Sequence, residues 1–334
     1  MKILVVRRDN IGDLVLTTPV FAALRAHFPE ARIDAFVNSY NAPVLAGHPH
    51  VDRVHSYTKG KHRDEGGAIS GAWSRLRQLM SLRGEHYDHV LVATPGYRPR
   101  EIQFARWLAP AHIAAFVAPG QNVAGVDEPV EFVPNVGRHQ VEETFRILTP
   151  LGIYDAPPAL HIAAKRERRA GPATIAVHVS ARKASSRWPE ERFAPLMRAL
   201  HERFAAKLRL FWSPGTEDDP RHPGDDQKAR RILEAAKGIP VEPCETRELG
   251  ELIAGLAQCD AMVCSDGGAM HLAAALGLPV VCFFGESDAA SWRPWGVPYR
   301  VLQPASRNVR DVTLEETLRA CEEIFSPTIS PART

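Results

Sequence analysis

Residues 261–285 constrain the fold more than any other part of this chain. An apolar run at 261–264 is followed by a turn, an alanine-rich segment at 269–276 that ends at Gly277, and a second apolar run at 280–284. This order is typical of a buried strand, a helix and another buried strand. A parallel unit of this kind places its first turn at the carboxyl edge of the sheet, where open α/β sheets bind ligands. The segment therefore predicts an α/β fold built on a doubly wound parallel sheet.

The turn between the first strand and the helix is a candidate binding site. The helix begins behind Gly267 and Gly268, so its free N–H groups and the positive end of its dipole would stabilise an anion such as a phosphate. Asp266 lies beside them, and a carboxylate accepts hydrogen bonds from the hydroxyls of a polyol. A glycine turn also serves simply to let a helix pack closely on a sheet, and the spacing leaves both interpretations open.

The N-terminal segment predicts a second carboxylate at a sheet edge. Residues 3–6 read as a buried strand and residues 8–19 as a loop around Gly12. Pro19 suits the first turn of a helix that residues 20–28 continue. Asp13 would then lie in a loop at the carboxyl edge, within reach of a ligand. An acid at this place could equally be one that favours the dipole of the following helix.

The alternation of strands and helices runs twice along the chain. A proline pair at 157–158, a charged run at 165–169 and a Gly-Pro pair at 171–172 separate the two passes. We therefore predict two Rossmann-like doubly wound domains, residues 1–170 and 171–334, facing each other across a cleft lined by the carboxyl edges of both sheets.

Two polar loops of the first domain carry basic side chains. The glycine-rich segment 58–71 and the loop 94–100, which follows a predicted strand, contribute them. Basic loop residues are often merely solvated, but together they could form a basic wall for an anionic partner. The candidates are Lys59, Lys61, Arg63, Arg98 and Arg100.

The totals exclude several classes of protein. A net charge of +2 gives no support for a nucleic-acid partner. No apolar run approaches the ~20 residues of a membrane span, and the charged N-terminus is unlike a secretory signal. The five cysteines show no C-x-x-C spacing, which is typical of reduced thiols in a cytosolic protein. His48 and His50 are the nearest approach to a metal-binding spacing, and no further ligands cluster with them.

The two candidate sites together suit group transfer. One domain offers Asp13 as a base for a hydroxyl, and the other offers the glycine turn and the basic loop 180–188 for a departing phosphate. The chain has no Asp-x-Asp pair, so helix dipole and basic side chains would stabilise the leaving group without a metal. P-loop, dinucleotide-binding and G-x-S-x-G motifs are absent, which disfavours kinases, dehydrogenases and α/β hydrolases.

Three segments resemble the family-9 glycosyltransferases, the bacterial lipopolysaccharide heptosyltransferases. They are residues 2–19, with Ile-Gly-Asp at 11–13, residues 265–285, and residues 284–295, with Trp-Arg-Pro-Trp at their end. The matches lie near both ends of the chain at the separation found in the family, so the resemblance covers nearly all of it.

The resemblance implies a GT-B fold and an inverting, metal-independent transfer with no cofactor. A heptose would pass from ADP-L-glycero-D-manno-heptose to a hydroxyl of the phosphorylated lipopolysaccharide inner core, with Asp13 as the catalytic base. The first domain would hold the acceptor through the basic loop residues named above, and Glu217 would lie near the donor ribose. The donor and its phosphates would be bound by Ser180, Arg182, Lys183, Glu217, Asp266, Gly267, Gly268 and His271.

The sequence departs from the family pattern at two positions. Members commonly carry a lysine where this chain has Ser186, so Lys183 or Arg182 would have to reach the diphosphate. They commonly carry Ser or Thr where this chain has Gly267, so only a backbone N–H remains there. A related transferase with another nucleotide sugar or acceptor, and a non-catalytic sugar-nucleotide binding protein, are the alternatives. The expected location is the cytoplasm, with peripheral contact at the cytoplasmic face of the inner membrane.

Overall fold

The computed structural model describes residues 1–57, 77–134, 136–164, 166, 171–218 and 224–329. The chain forms two compact units, residues 1–163 and 164–334, where the sequence predicts a boundary at 170. The predicted loop 58–71, with Lys59, Lys61 and Arg63, lies outside the described residues.

The first unit contains a six-stranded, wholly parallel sheet in the order β3-β2-β1-β4-β5-β6. Its strands are β1 Lys2–Val6, β2 Arg32–Asn38, β3 Arg53–Tyr57, β4 His89–Val92, β5 His112–Val117 and β6 Glu128–Glu131. Its helices are α1 Ile11–Val15, α2 Thr18–His27, α3 with the described part 77–83, α4 Pro99–Leu108 and α5 Gln140–Phe145, with 3₁₀ turns at Ala42–Leu45 and Arg146–Leu151.

The second unit repeats this plan with the sheet order β12-β11-β10-β7-β8-β9. Its strands are β7 Thr174–His178, β8 Lys207–Trp212, β9 Val241–Glu245, β10 Ala261–Ser265, β11 Val280–Phe283 and β12 Tyr299–Leu302. Its helices are α6 Phe193–Phe204, α7 Asp226–Ala235, α8 Leu249–Leu256, α9 Gly268–Ala275, α10 Ala289–Trp292 and α11 Leu314–Ile329, with 3₁₀ turns at Ala184–Ser186, Glu190–Arg192 and Val309–Asp311.

The core of each unit lies between its sheet and its helices. In the second unit the buried ring of Trp188 stacks on Phe283 at 4.8 Å between centroids and meets Phe193 edge-on at 5.0 Å. The Trp188 indole N–H donates to the carbonyl of Val312, so its one polar group is satisfied inside the core. This packing fixes the loop between β7 and α6, which carries several of the predicted donor residues.

Two predicted loops are partly helical. The segment expected to form a loop at 8–19 contains all of α1 and the start of α2, because Asp13 caps the short helix. Arg100, expected in the loop 94–100, lies in the first turn of α4, which begins at Pro99. Pro99 suits that position because its fixed φ matches a first helical turn.

Among the described residues, none of the helices is both long and apolar enough to span a membrane.

Candidate active site

Asp13 is held in place by the short helix that follows β1. It is the third residue of α1, and its Oδ2 accepts a hydrogen bond from the backbone N–H of Asn10 at 3.0 Å. Such a reciprocal cap satisfies N–H groups that a helix end leaves unpaired. Its Oδ1 lies 3.1 Å from Nη2 of Arg7, while the side chain remains 12% exposed. The carboxylate is therefore oriented by two partners and still open to solvent at the carboxyl edge of the sheet.

Arg7 is a site residue that the sequence reasoning missed. Its side chain is only 3% exposed, its Nη1 donates to the carbonyl of Ala93, and its Nε lies 3.2 Å from Asp9. The guanidinium thus ties the end of β1 to the end of β4 and faces two carboxylates, Asp9 and Asp13. A basic residue directly after a buried strand and six positions before the acid was the signal available in the sequence.

The basic residues of the predicted loop 94–100, Arg98 and Arg100, lie at the start of α4. Arg98 is the N-cap residue and Arg100 lies in the first turn, and both are exposed. Half-buried Glu101 has a raised pKa, chiefly because of burial, while the charges of Arg8, Arg98 and Arg7 act in the opposite direction. Arg98 therefore belongs to the charged cluster at this edge, whereas no contact ties Arg100 to it among the described residues.

In the second unit the glycine turn has the predicted form. Gly267 is the N-cap of α9 in extended backbone geometry, and Gly268 is its first residue. The N–H of Asp266 donates to the carbonyl of Phe283 at 2.9 Å, and Asp266 is partly exposed at the edge. Gly267 itself is exposed, so the first free N–H groups of the helix are open to a ligand.

The loop after β7 lies against the loop after β11, beside this turn. A Cβ added to Gly285 would meet the carbonyl oxygen of Ser185 at 2.5 Å, which shows how closely the two backbones approach. Nζ of Lys183 donates to Oγ of Ser287 at 2.9 Å. Lys183 is thus brought to the same edge as Gly267, while Arg182 is exposed and no contact within the described residues fixes it.

Two serines of the loop after β7 have structural contacts. Oγ of Ser180 accepts a hydrogen bond from the N–H of Ser213 at 2.9 Å, which links the ends of β7 and β8. Ser186, at the position of the family lysine, is 2% exposed, and its carbonyl accepts from Oγ of Ser265 at 2.7 Å. The Ser186 hydroxyl is therefore inside the protein rather than on the surface that Gly267 exposes.

Glu217 and His271 differ from the other predicted donor residues. Oε1 of Glu217 lies 2.7 Å from Nη2 of Arg231, which also pairs with Glu190. Glu217 lines a cavity of about 670 Å³ beside α7, to which Arg231 and Lys228 also contribute. His271 is 2% exposed in α9, with its ring 6.3 Å from that of Trp292, so it lies beneath the surface of the turn.

The comparisons with known proteins agree with this fold. The model of the family described as Glycosyltransferase family 9 (heptosyltransferase) matches residues 75–319. Lipopolysaccharide heptosyltransferase 3 of Escherichia coli K12 is 26% identical over 309 residues, covering 85% of this chain and 82% of that protein. Lipopolysaccharide heptosyltransferase 1 of the same strain is 22% identical over 333 residues, covering 95% and 98%.

Solved structures show the same architecture over almost the whole chain. E. coli heptosyltransferase WaaC with ADP superposes with a TM-score of 0.80 at 20% identity, covering 97% of this chain and 99% of that one. The family-9 glycosyl transferase of Veillonella parvula DSM 2008 gives 0.77 at 20% identity, covering 96% of each chain.

Together the two parallel sheets and the likeness to these structures define the GT-B fold, with two Rossmann-like domains, and the family model defines the protein as a glycosyltransferase. The family model matches most of the chain, which assigns the protein to one family of glycosyltransferases. The chain belongs to glycosyltransferase family 9, the heptosyltransferases.

Proposed function

We propose that this enzyme transfers a heptose from ADP-L-glycero-D-manno-heptose to a hydroxyl of the lipopolysaccharide inner core, with inversion and without a metal. Family membership supports the reaction class, and relatives named lipopolysaccharide heptosyltransferases match most of the chain. The observation that carries the mechanism is the Asp13 carboxylate, held by Asn10 and Arg7 at the carboxyl edge of the first sheet.

In the proposed reaction Asp13 acts as the general base. It takes the proton of the acceptor hydroxyl while that oxygen forms a bond to the anomeric carbon, on the face opposite the diphosphate. The bond between the anomeric carbon and the diphosphate oxygen breaks, and ADP leaves with the electron pair. The contacts from Asn10 and Arg7 keep the carboxylate in one orientation, which is what positioned general-base catalysis requires.

The donor is proposed to bind at the edge of the second unit. The N–H groups at Gly267 and Gly268 would donate hydrogen bonds to the diphosphate, and the Asp266 carboxylate would accept hydrogen bonds from the sugar hydroxyls. Lys183 supplies the cation that the serine at 186 does not, because its Nζ is held at this edge by Ser287. Residues 164–334 would thus bind the donor and residues 1–163 the acceptor.

We propose that Glu217 lies beside the donor ribose and accepts a hydrogen bond from one of its hydroxyls. Its carboxylate already pairs with Arg231, so a ribose hydroxyl would share the carboxylate with that arginine. A carboxylate has enough lone pairs to accept from both.

The test is a transfer assay with purified enzyme, ADP-heptose and a core acceptor that lacks the heptose. ADP release, the mass of the product and the anomeric configuration by NMR report transfer and inversion, and an arm with a chelator tests metal independence. A panel of other nucleotide sugars tests the related-transferase alternative. Tight binding of ADP-heptose without turnover would instead favour a sugar-nucleotide binding protein.

Because the proposed acceptor is anchored in a lipid leaflet, we also propose cytoplasmic location with transient contact at the membrane surface. Co-sedimentation with vesicles that contain the acceptor, compared with vesicles of phospholipid alone, measures this contact. Equal recovery of the enzyme in both supernatants would contradict it.

A further inference from the structure

Arg8 lies on a platform of three aromatic rings at the carboxyl edge of the first sheet. Its guanidinium carbon is 4.4 Å from the ring centroid of Tyr57 and 5.9 Å from those of Phe36 and Phe104. The ring of Phe36 stacks on Tyr57 at 5.4 Å and on Phe104 at 4.5 Å. Rings from β2, β3 and α4 therefore hold the cation in one place by their negative faces.

The guanidinium of Arg8 has no protein partner for its donors among the described residues. No carboxylate there lies within 4.0 Å of it, it donates no hydrogen bond, and its Nε is buried without an acceptor. The adjacent Arg7 is the opposite case, because it pairs with Asp9 and Asp13 and donates to the carbonyl of Ala93. A stacked, unpaired guanidinium presents a planar fork of donors that matches an oxyanion.

The position of Arg8 ties it to the proposed acceptor side of the reaction. It follows Arg7 directly, and the carbonyl of Asp9 accepts from the side chains of Asn38 at 2.8 Å and Asn41 at 3.0 Å, which fixes the backbone there. The charge of Arg8 acts to lower the pKa of Glu101, in the first turn of α4, so the two groups lie at the same edge of the sheet.

We propose that Arg8 binds an oxyanion of the acceptor, a phosphate or a carboxylate, and so selects acceptors that carry that group near the reacting hydroxyl. This inference rests on the proposed transfer reaction and names a recognition residue that the family motif does not include. The aromatic platform pre-orders the guanidinium, so little side-chain freedom is lost when the anion binds.

The experiment compares wild type with Arg8→Gln and Arg8→Lys, using intact acceptor, phosphatase-treated acceptor and acceptor whose carboxylates have been reduced. Loss of a charge-assisted contact predicts a rise of roughly 10- to 100-fold in acceptor KM for Arg8→Gln, with donor KM unchanged. Arg8→Lys keeps the charge but not the planar fork of donors, so its acceptor KM should lie between those of wild type and Arg8→Gln. The penalty should vanish with whichever treated acceptor lacks the bound oxyanion, which identifies the group.

Two results would overturn the inference: an acceptor KM within twofold of wild type for Arg8→Gln, or the same penalty with all three acceptors. Arg83→Gln is the matched control, because Arg83 also lies over a ring, that of Trp107 at 5.5 Å, in the same unit. Its acceptor KM should not change. Titration calorimetry with the acceptor alone measures the Arg8 contact without turnover, so a failure of the proposed reaction in wild type is seen separately.

Discussion

The carboxyl edge of the first sheet presents mainly side-chain groups, whereas the carboxyl edge of the second presents mainly backbone groups. In the first unit the side chain of Arg7 lies at this edge and pairs with Asp9 and Asp13. In the second unit, glycines expose backbone N–H groups at the start of α9 and let neighbouring loops approach closely. A function that depends on a side chain can be removed by substituting that side chain while the fold stays intact. A function that depends on backbone groups is disturbed mainly when a side chain is added to a glycine.

The largest expected effect is in the first unit. Asp13→Asn keeps the size of the side chain but removes the proposed base, so kcat should fall by about 10²- to 10⁴-fold. Steady-state kinetics measure this, and circular dichroism should show an unchanged folded spectrum. Asp52→Asn is the matched control, since Asp52 also pairs with an arginine of this unit, Arg25 at 2.7 Å, but has no proposed role. A kcat for Asp13→Asn within tenfold of wild type would rule out the base.

Buried histidines make both units sensitive to acid. Burial lowers the pKa of His48 to about 4, with the charges of His161 and His50 adding to it, and burial beside Lys228 lowers that of His178 to about 4. The unfolded chain binds these protons near pH 6.5, so their contribution to stability is complete above that pH and is lost as pH falls toward 4. Between pH 7 and 5 each histidine should cost on the order of 2 kcal/mol of unfolding free energy.

Urea unfolding of His48→Gln and His178→Gln at the two pH values measures this dependence, and each variant should lose part of it. His112 provides a control of opposite sign, because its hydrogen bond to Asp127 raises its pKa. The stability that His112 contributes is present below pH 6.5 and is lost as pH rises through its folded pKa. An unchanged pH dependence in both buried-histidine variants would contradict the prediction.

Adding one carbon at Gly285 should damage the second unit. The new Cβ would lie 2.5 Å from the carbonyl oxygen of Ser185, and neither backbone can yield cheaply, so we expect a loss of about 1–3 kcal/mol in stability. The loop that carries Lys183 would shift, and ADP should bind more weakly by calorimetry. Gly250→Ala in α8 is the control, because nothing lies within 4 Å of its added Cβ and alanine favours a helix. Equal unfolding free energies for the two variants would contradict the close approach.

The sequence predicted buried elements better than exposed ones. The strands β1, β10 and β11 are apolar, and the predicted segments 3–6, 261–264 and 280–284 match their observed bounds to within one residue at each end. The edge strands β6 and β9 were missed, since Glu128–Glu131 and Val241–Glu245 mix charged residues and proline with few apolar ones. An edge strand buries only part of its surface, so its sequence need not alternate clearly.

The candidate site was predictable where a motif fixes the backbone and not where long side chains meet. The turn at Gly267 follows from local sequence, and its form agrees with the structure. The contact of Arg7 with the carbonyl of Ala93, and the platform under Arg8, depend on residues from separate strands and a helix. Such contacts follow from the sheet order, which spacing along the chain does not specify.

The smallest expected effect tests whether backbone alone suffices at the donor site. Gly267 has φ 162°, which is extended backbone that any residue adopts, and nothing lies within 4 Å of an added Cβ. Gly267→Ser should therefore fold normally and restore a hydroxyl that related enzymes commonly carry. One added hydrogen bond to the diphosphate, about 0.5–1.5 kcal/mol, predicts roughly two- to tenfold tighter ADP binding. Gly267→Ala is the control without a hydroxyl; equal ADP affinities for the two variants would show that the helix N–H groups already satisfy the diphosphate.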